Sequence, residues 1–420
     1  MLPATLRPAY FSVHRRLLFC ALLLAGFFLL ADFSVTLAAQ ADKGKIELSE
    51  LLDAALTKNQ QLISADAEAQ RYNTRILLLD KLTEPMMAFY YLDFPISNMS
   101  QGVADRINQA DAGAARKVRV RSVRGKVLTG KDMIENQALW FDYRAADLRL
   151  QIARQVREGF YRLYFLDQII LVSEKSIETL KSLVHAADAQ YAVGKIRQKD
   201  VLILQSQSYQ LQAKLLEQRQ QRLKLATELN YLAARSVTTV LVPHIEGGLK
   251  YEDLVVPKQT SINLISGLFQ NRPLIKGYQA LGGRFRAMRS MAKMFFNRDA
   301  QDEAYYEADN GLRAIKAEGT DFYNQVTADI QVAMANLNTN RELARLYGRV
   351  LVPQARQLYQ ANLADFQVGR SGYRAPLDAL LNLYKYQEKY YQALADYQVD
   401  LARLEGLSGL AINEPVVSSN

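Results

Sequence analysis

From Lys131 to about Ala192 the chain has no proline and a single glycine, and its apolar residues recur at spacings of three and four. Ile152, Val156, Phe160, Leu163, Leu166, Ile170, Ile177, Leu180 and Val184 form one stripe. That period predicts one long helix with a coiled-coil-like seam. At about 1.5 Å per residue it spans roughly 90 Å, against a mean globular helix of about 11–12 residues. A rod of that length must cross something or pack along a partner of equal length. Two shorter predicted helices supply the partner. One runs from about Leu48 to Leu82, and the other from Asp200 to about Ala234 with Leu204, Leu211, Leu215, Leu225, Leu229 and Leu232.

Two segments break the helical period between the first short helix and the long one. They are "EPMMAFYYLDFPI" (84–96) and "KVRVRSVRGKVL" (117–128). In the second, Val118 and Val120 alternate with Arg119 and Arg121, which predicts a strand with one apolar and one basic face. A membrane barrel strand with arginine toward a wet interior fits this pattern, and so does an amphipathic hairpin of a soluble domain.

The pattern then recurs. "ELLDAALTKNQQLISADAEAQ" (50–70) is echoed by "NLISGLFQNRPLIKGYQALGG" (263–283), and "YAVGKIRQKD" (191–200) by "FQVGRSGYRAPLD" (366–378); the copies end in "ELNYLAA" and "RLEGLSG". In both, a helix ends at a Val-Gly pair, Val193-Gly194 and Val368-Gly369, and an aspartate, Asp200 or Asp378, stands at the start of the return helix. Glycine is the default residue for a left-handed turn at a helix C-terminus. An aspartate in the next helix can cap its first amides. Gly372, six residues before Asp378 as Gly194 is before Asp200, competes with Gly369 as the second turn.

In the order of these features, the opening amphipathic helices that end in Asn59 and Asn271, the two Val-Gly turns and the helices that follow, the chain resembles the TolC-like outer-membrane efflux proteins over nearly its whole mature length. The resemblance implies a mainly α fold: a homotrimer whose long helices form a hollow periplasmic α-barrel, topped by a β-barrel in the outer membrane. It implies a passive exit duct of a tripartite efflux or type I secretion system, joined to a periplasmic adaptor and, through it, to an inner-membrane pump. The docking turns are then Val193, Gly194, Lys195, Arg197, Val368, Gly369, Arg370 and Gly372. Asp200 and Asp378 fall near the family's periplasmic constriction. On this reading residues 1–41 are a signal peptide, 42–240 the first repeat with a β-hairpin at 84–128, 241–259 a linker, 260–409 the second repeat and 410–420 a tail.

The two copies differ in length. Asn59 to Asp200 is 141 positions and Asn271 to Asp378 is 107, a deficit of 34. It falls at 295–325, an acidic, polar stretch without alternation that reads as a loop or short helix. A trimer with one hairpin per chain has too few strands for the smallest usual membrane barrels of about eight. A periplasmic helical scaffold that has lost its barrel is therefore the alternative architecture.

Composition narrows the chemistry. Arg15 and Arg16 precede the apolar run "LLFCALLLAGFF", and Ala39-Gln40-Ala41 offers a cleavage site, the pattern of a secretory leader. Cys20, the only cysteine, lies in that run, so the mature chain has no thiol or disulfide chemistry. The formal charge of +9 falls to +7 once Arg7, Arg15, Arg16 and Asp32 are removed, an excess read as mixed-sign helix surface that gives no support to nucleic-acid binding. His14, His185 and His244 are the only histidines, and no nucleophile, zinc or phosphate-loop motif occurs, so no catalytic residue, cofactor or metal site is assigned. Met288, Met291 and Met294 share a spacing of three, which fills a helix core more often than it holds a soft metal.

Overall fold

The computed structural model describes residues 45–81, 112–254, 257–295 and 298–412. Its helices are α1 (Leu48–Lys58), α2 (Gln60–Lys81), α3 (Ala112–Ala192) and α4 (Gln198–Leu232) in the first repeat. The second repeat has α5 (Ser261–Ser266), α6 (Leu268–Asn271), α7 (Pro273–Phe295), α8 (Arg298–Leu346), α9 (Val352–Gln367) and α10 (Arg374–Ser408). A π-helical turn, Tyr347–Leu351, joins α8 to α9 just ahead of Pro353, where the missing proline N–H must be accommodated. Among the described residues the only sheet is a parallel pair, β1 (Lys45–Ile46) and β2 (Val242–Pro243), which ties the start of the first repeat to the linker.

The internal repeat is visible in the elements. The return helices α4 and α10 are each 35 residues long. Each opening helix is interrupted at its asparagine. Asn59 is buried, donates from Nδ2 to the Leu232 carbonyl at 2.8 Å, and accepts the amides of Gln61 and Leu62. The predicted single helix 48–82 is thus two helices hinged on an internal cap.

Two sequence expectations are corrected. Residues 117–128 are helical, because α3 runs unbroken from Ala112 to Ala192. Four alternating residues are too few to impose a strand; arginine and lysine are good helix formers, and each residue added to an existing helix gains a backbone hydrogen bond. The other half of the proposed hairpin, 84–96, lies outside the described residues. In the stretch 295–325, expected as a loop or short helix, residues 298–325 belong to a long helix: α8 begins at Arg298 and continues for 49 residues. Its acidic and polar positions face outward while Ala308, Leu312, Val326 and Ile330 are buried. Close seating on α7 is possible because Gly311 lacks a Cβ, which would meet Phe285 Cε1 at 2.3 Å.

The helices form a layer centred on α3. Toward one end, α2, α3, α7 and α8 pack side by side; toward the other, α4, α3, α10 and α9 do so. The core is a series of clusters strung along this layer, as the continuous stripe of α3 requires. Neighbouring helices are also pinned by polar contacts. Ser173, Gln218 and Tyr384 join α3, α4 and α10 in a buried network, with Ser173 Oγ donating to Gln218 Oε1 at 2.8 Å.

Candidate functional site: the paired helix tips

The α3–α4 and α9–α10 turns are built alike. At the first, Gly194 N–H donates to the Tyr191 carbonyl at 2.9 Å and Lys195 N–H to Gln190 at 2.9 Å. At the second, Gly369 N–H donates to Phe366 at 3.0 Å and Arg370 N–H to Asp365 at 2.8 Å. Both are Schellman caps, which need a left-handed residue after the helix. Gly194 and Gly369 supply it with φ of 73° and 76°. This decides between the two candidate glycines: Gly369 makes the turn, and Gly372 has no positive φ.

The valine before each glycine points outward, 68% exposed for Val193 and 67% for Val368. Each tip thus raises one apolar side chain at the same place in the turn. Lys195, Arg197 and Arg370 surround the valines and are exposed. The two tips of one chain lie side by side. Phe366 and Tyr373 pack with Leu180, Leu183, Ala187, Val201 and Leu377 beneath them, and Gln190 Nε2 donates to the Phe366 carbonyl at 3.2 Å. Phe366 stands in "FQVG" where the first copy has Tyr191 in "YAVG", but only the phenylalanine is buried.

The aspartates differ. Asp200 is the third residue of α4, and its carboxylate accepts the Arg197 N–H at 3.2 Å while its own N–H donates to the Arg197 carbonyl at 2.9 Å. It is a reciprocal cap. Asp378 is the fifth residue of α10, past the orphan amides, and is exposed, so the cap reading does not hold for it. Arg374, which the sequence did not single out, connects the two. The Tyr373 hydroxyl, 3.5 Å from its Nε, holds the guanidinium above its ordinary pKa, with further support from the carboxylates of Asp200 and Asp378. Leu381, where a second acid would extend a ring, is half-buried in this apolar cluster.

Far from the tips lies a buried ion pair. Arg272 at the α6–α7 junction and Asp147 on α3 have side chains 5% and 2% exposed, with Nε and Oδ1 2.7 Å apart. Arg272 also donates to the Gly406 carbonyl, and Gln151 Nε2 donates to Asp147 at 2.8 Å. This pair joins the second repeat to the long helix of the first. No group of histidine, cysteine, aspartate or glutamate placed to hold a metal ion occurs among the described residues.

The overall fold is shared by solved structures. A membrane protein from Pseudomonas aeruginosa aligns at a TM-score of 0.66 and 14% identity, over 86% of this chain and 90% of its own. The outer membrane protein VceC from Vibrio cholerae aligns at 0.65 and 13%, over 87% and 96%. The MtrE outer membrane channel of Neisseria gonorrhoeae aligns at 0.65 and 12%, over 87% and 89%.

The fold is that of the TolC-like outer-membrane channels.

At these identities the likeness is one of fold. No family model matches the sequence, and no curated protein sequence does. Among the structures that share the fold, MtrE is described as an outer membrane channel and VceC as an outer membrane protein.

Proposed function

We propose that this protein is the duct subunit of an export system in the cell envelope, a passive homotrimeric channel that docks through its helix tips onto a periplasmic adaptor served by an inner-membrane pump. The observation that carries this reading is the duplicated tip: two Schellman turns held side by side, each presenting an exposed valine among cations. An exposed apolar side chain beside cations suits a docking surface.

Ring closure is supported by the free edges of the layer. Along α4, Leu202, Tyr209, Leu216 and Leu223 recur every seven residues and are 55%, 68%, 65% and 68% exposed. On the opposite edge, Val332, Leu346, Val350 and Leu358 of the α8–α9 rod are also exposed. An exposed apolar heptad stripe suits an interhelical seam. Two different edges that pair head to tail generate a ring.

A thiol-specific crosslinker at Val193→Cys tests docking, because the mature chain has no cysteine of its own. It is expected to join the adaptor, whereas Leu223→Cys on the α4 edge is expected not to. Adaptor joined from both positions or from neither contradicts the reading.

The second reading, a periplasmic scaffold without a barrel, is favoured by the α7–α8 connection. Only residues 296–297 separate those helices, so this arm of the second repeat ends in a helical hairpin rather than strands. Heat-modifiable migration and detergent extraction from outer-membrane fractions support the duct, and release of the whole protein by osmotic shock supports the scaffold.

A further inference from the structure

Between α2 and α7 lies a cleft of about 670 Å³ floored by α3, within the usual size of a small-molecule site, roughly 300–1,000 Å³. Its two walls are the same stretch of the repeat. A fixed offset of 213 residues pairs Gln60, Gln61, Ser64 and Glu68 on α2 with Pro273, Leu274, Gly277 and Leu281 on α7. The second copy is apolar where the first is polar, so the cleft has one wall of each kind, with Leu274 and Tyr278 on the α7 side.

The floor carries Trp140 and Phe141. Both rings are fixed by their packing. Gly277 lets α7 sit against Trp140, which is 3.1 Å from where a Cβ would stand, and the Trp140 and Tyr278 ring centroids are 5.5 Å apart. Phe141 stacks on Tyr72 of α2 with centroids 4.4 Å apart. Rings held in this way form a preformed apolar surface.

Of the charged residues that line the cleft, Asp147 is bound by Arg272 and by Gln151. Glu68, half-buried on the α2 wall, and Arg144, exposed on the floor, make no hydrogen bond or ion pair among the described residues. Asp66 meets Arg149 and Asn73 meets Asp142, so α2 runs antiparallel to α3 and Glu68 stands at the level of residue 147, about one helical turn from Arg144. Two uncompensated charges of opposite sign therefore share one cleft with a fixed aromatic surface.

A ligand that satisfies this lining carries an ammonium for Glu68, a carboxylate to take paired hydrogen bonds from the Arg144 guanidinium, and a ring to lie against Trp140 and Phe141. A simple anion or cation leaves the opposite charge unmet, and a hydrocarbon leaves the amides of Gln60 and Gln61 unused. We propose that the cleft binds a small zwitterion with an aromatic body, of the class of an aromatic amino acid or short peptide.

The linker residue Leu249 donates its N–H to the Tyr164 hydroxyl at 3.0 Å, which puts the linker on one side of α3. Arg144 comes twenty residues earlier, about 200° round the helix, so the cleft opens on the opposite side. On the duct reading that side faces the bore and the zwitterion is cargo in passage. The cargo role rests on that reading; binding does not.

Trp140 is the chain's one tryptophan, so its emission reports directly on the cleft. Phenylalanyl-phenylalanine with free termini, titrated into the purified mature protein, should change that emission saturably, and the N-acetylated, C-amidated dipeptide should bind about tenfold more weakly or worse. Glu68→Gln and Arg144→Gln should each weaken binding by about tenfold or more. Reversing both charges, Glu68→Arg with Arg144→Glu, should restore binding that either reversal alone abolishes, a rescue that damage to folding does not give. No saturable response, an equal response to the blocked dipeptide, or indifference of both glutamine variants overturns the proposal. Adaptor crosslinking at Val193→Cys is read at the tips: binding lost with crosslinking intact removes the site and leaves the duct, and the reverse removes the cargo role alone.

Discussion

The two repeats share the backbone of their tip turns and differ in how side chains anchor the surrounding helices. Gly194 and Gly369 make the same cap with φ values three degrees apart. At the other end of the return helices, a fixed offset of 175 residues pairs Ala234 with Gly409 and Leu225 with Asp400, and the copies differ. The anchoring of the opening helix differs as well. Asn59 holds its own kink through the Leu232 carbonyl, whereas at Asn271-Arg272 the arginine reaches Asp147 of the other repeat. Where the sequence is duplicated faithfully the surface is outward and shared. Of the divergent positions, Asp400 and Arg272 are buried, whereas Ala234 is exposed.

Substitutions that exchange one copy's solution for the other's sharpen this contrast. The largest effect is expected at the buried ion pair. Arg272→Ala leaves Asp147 charged and unpaired, and should cost about 3–5 kcal/mol in denaturant unfolding. Arg272→Met combined with Asp147→Leu should recover much of that loss. If Arg272→Ala is neutral, the link between repeats is incidental.

Asp400 comes next. Burial raises its carboxyl to about 6, against hydrogen bonding from Asn340 and the attraction of Arg403. Because the folded state holds the proton more tightly than the unfolded one, stability falls as pH rises from about 4 through about 6, by an order of 1–3 kcal/mol. Asp400→Leu, the residue of the first copy, should flatten this slope; an unchanged slope assigns the titration to another group.

At the tips, Gly194→Val and Gly369→Val should each cost about 1–2 kcal/mol or more, because a β-branched residue is strained at positive φ. An added Cβ meets no atom within 4 Å at either site, so the cost is conformational. Gly372→Ala should stay within about 0.5 kcal/mol. Equal costs at Gly369 and Gly372 would break the assignment of the second turn.

The smallest effect is at Ala234, the one described residue other than glycine with positive φ, at 50°. Ala234→Gly imports the second copy's residue and should stabilise by about 0.5–1 kcal/mol. The converse, Gly409→Ala, should destabilise by more, because its Cβ would sit 2.4 Å from the Asn271 carbonyl oxygen.

The long helices, their order and the Val-Gly turns were legible because each is a local signal: a stripe, a stop and a restart. Two local signals misled. The valine–arginine alternation at 118–121 was weaker than the helix that overran it, and the polar stretch 295–325 hid buried positions Ala308 and Leu312 among charges. At the candidate site, the turns were readable from sequence, but the distinction between Gly369 and Gly372 depends on backbone torsions. The roles of Phe366, Tyr373 and Arg374 depend on two tips meeting in space. Arg272 and Asp147, 125 residues apart, had no local signature at all.

The central claim is that the two bare edges of this layer pair between copies into a closed ring. Leu216 on α4 and Leu346 on α8 lie at one height, since Lys214 and Gln218 meet Glu388 and Tyr384 on α10 while the Tyr347 ring lies tilted beside Tyr386, centroids 6.0 Å apart. Crosslinking the double variant Leu216→Cys and Leu346→Cys with a flexible bis-maleimide is therefore the most direct measurement. The account predicts covalent dimers and trimers with nothing larger. A ladder running past the trimer, or monomers alone, contradicts it.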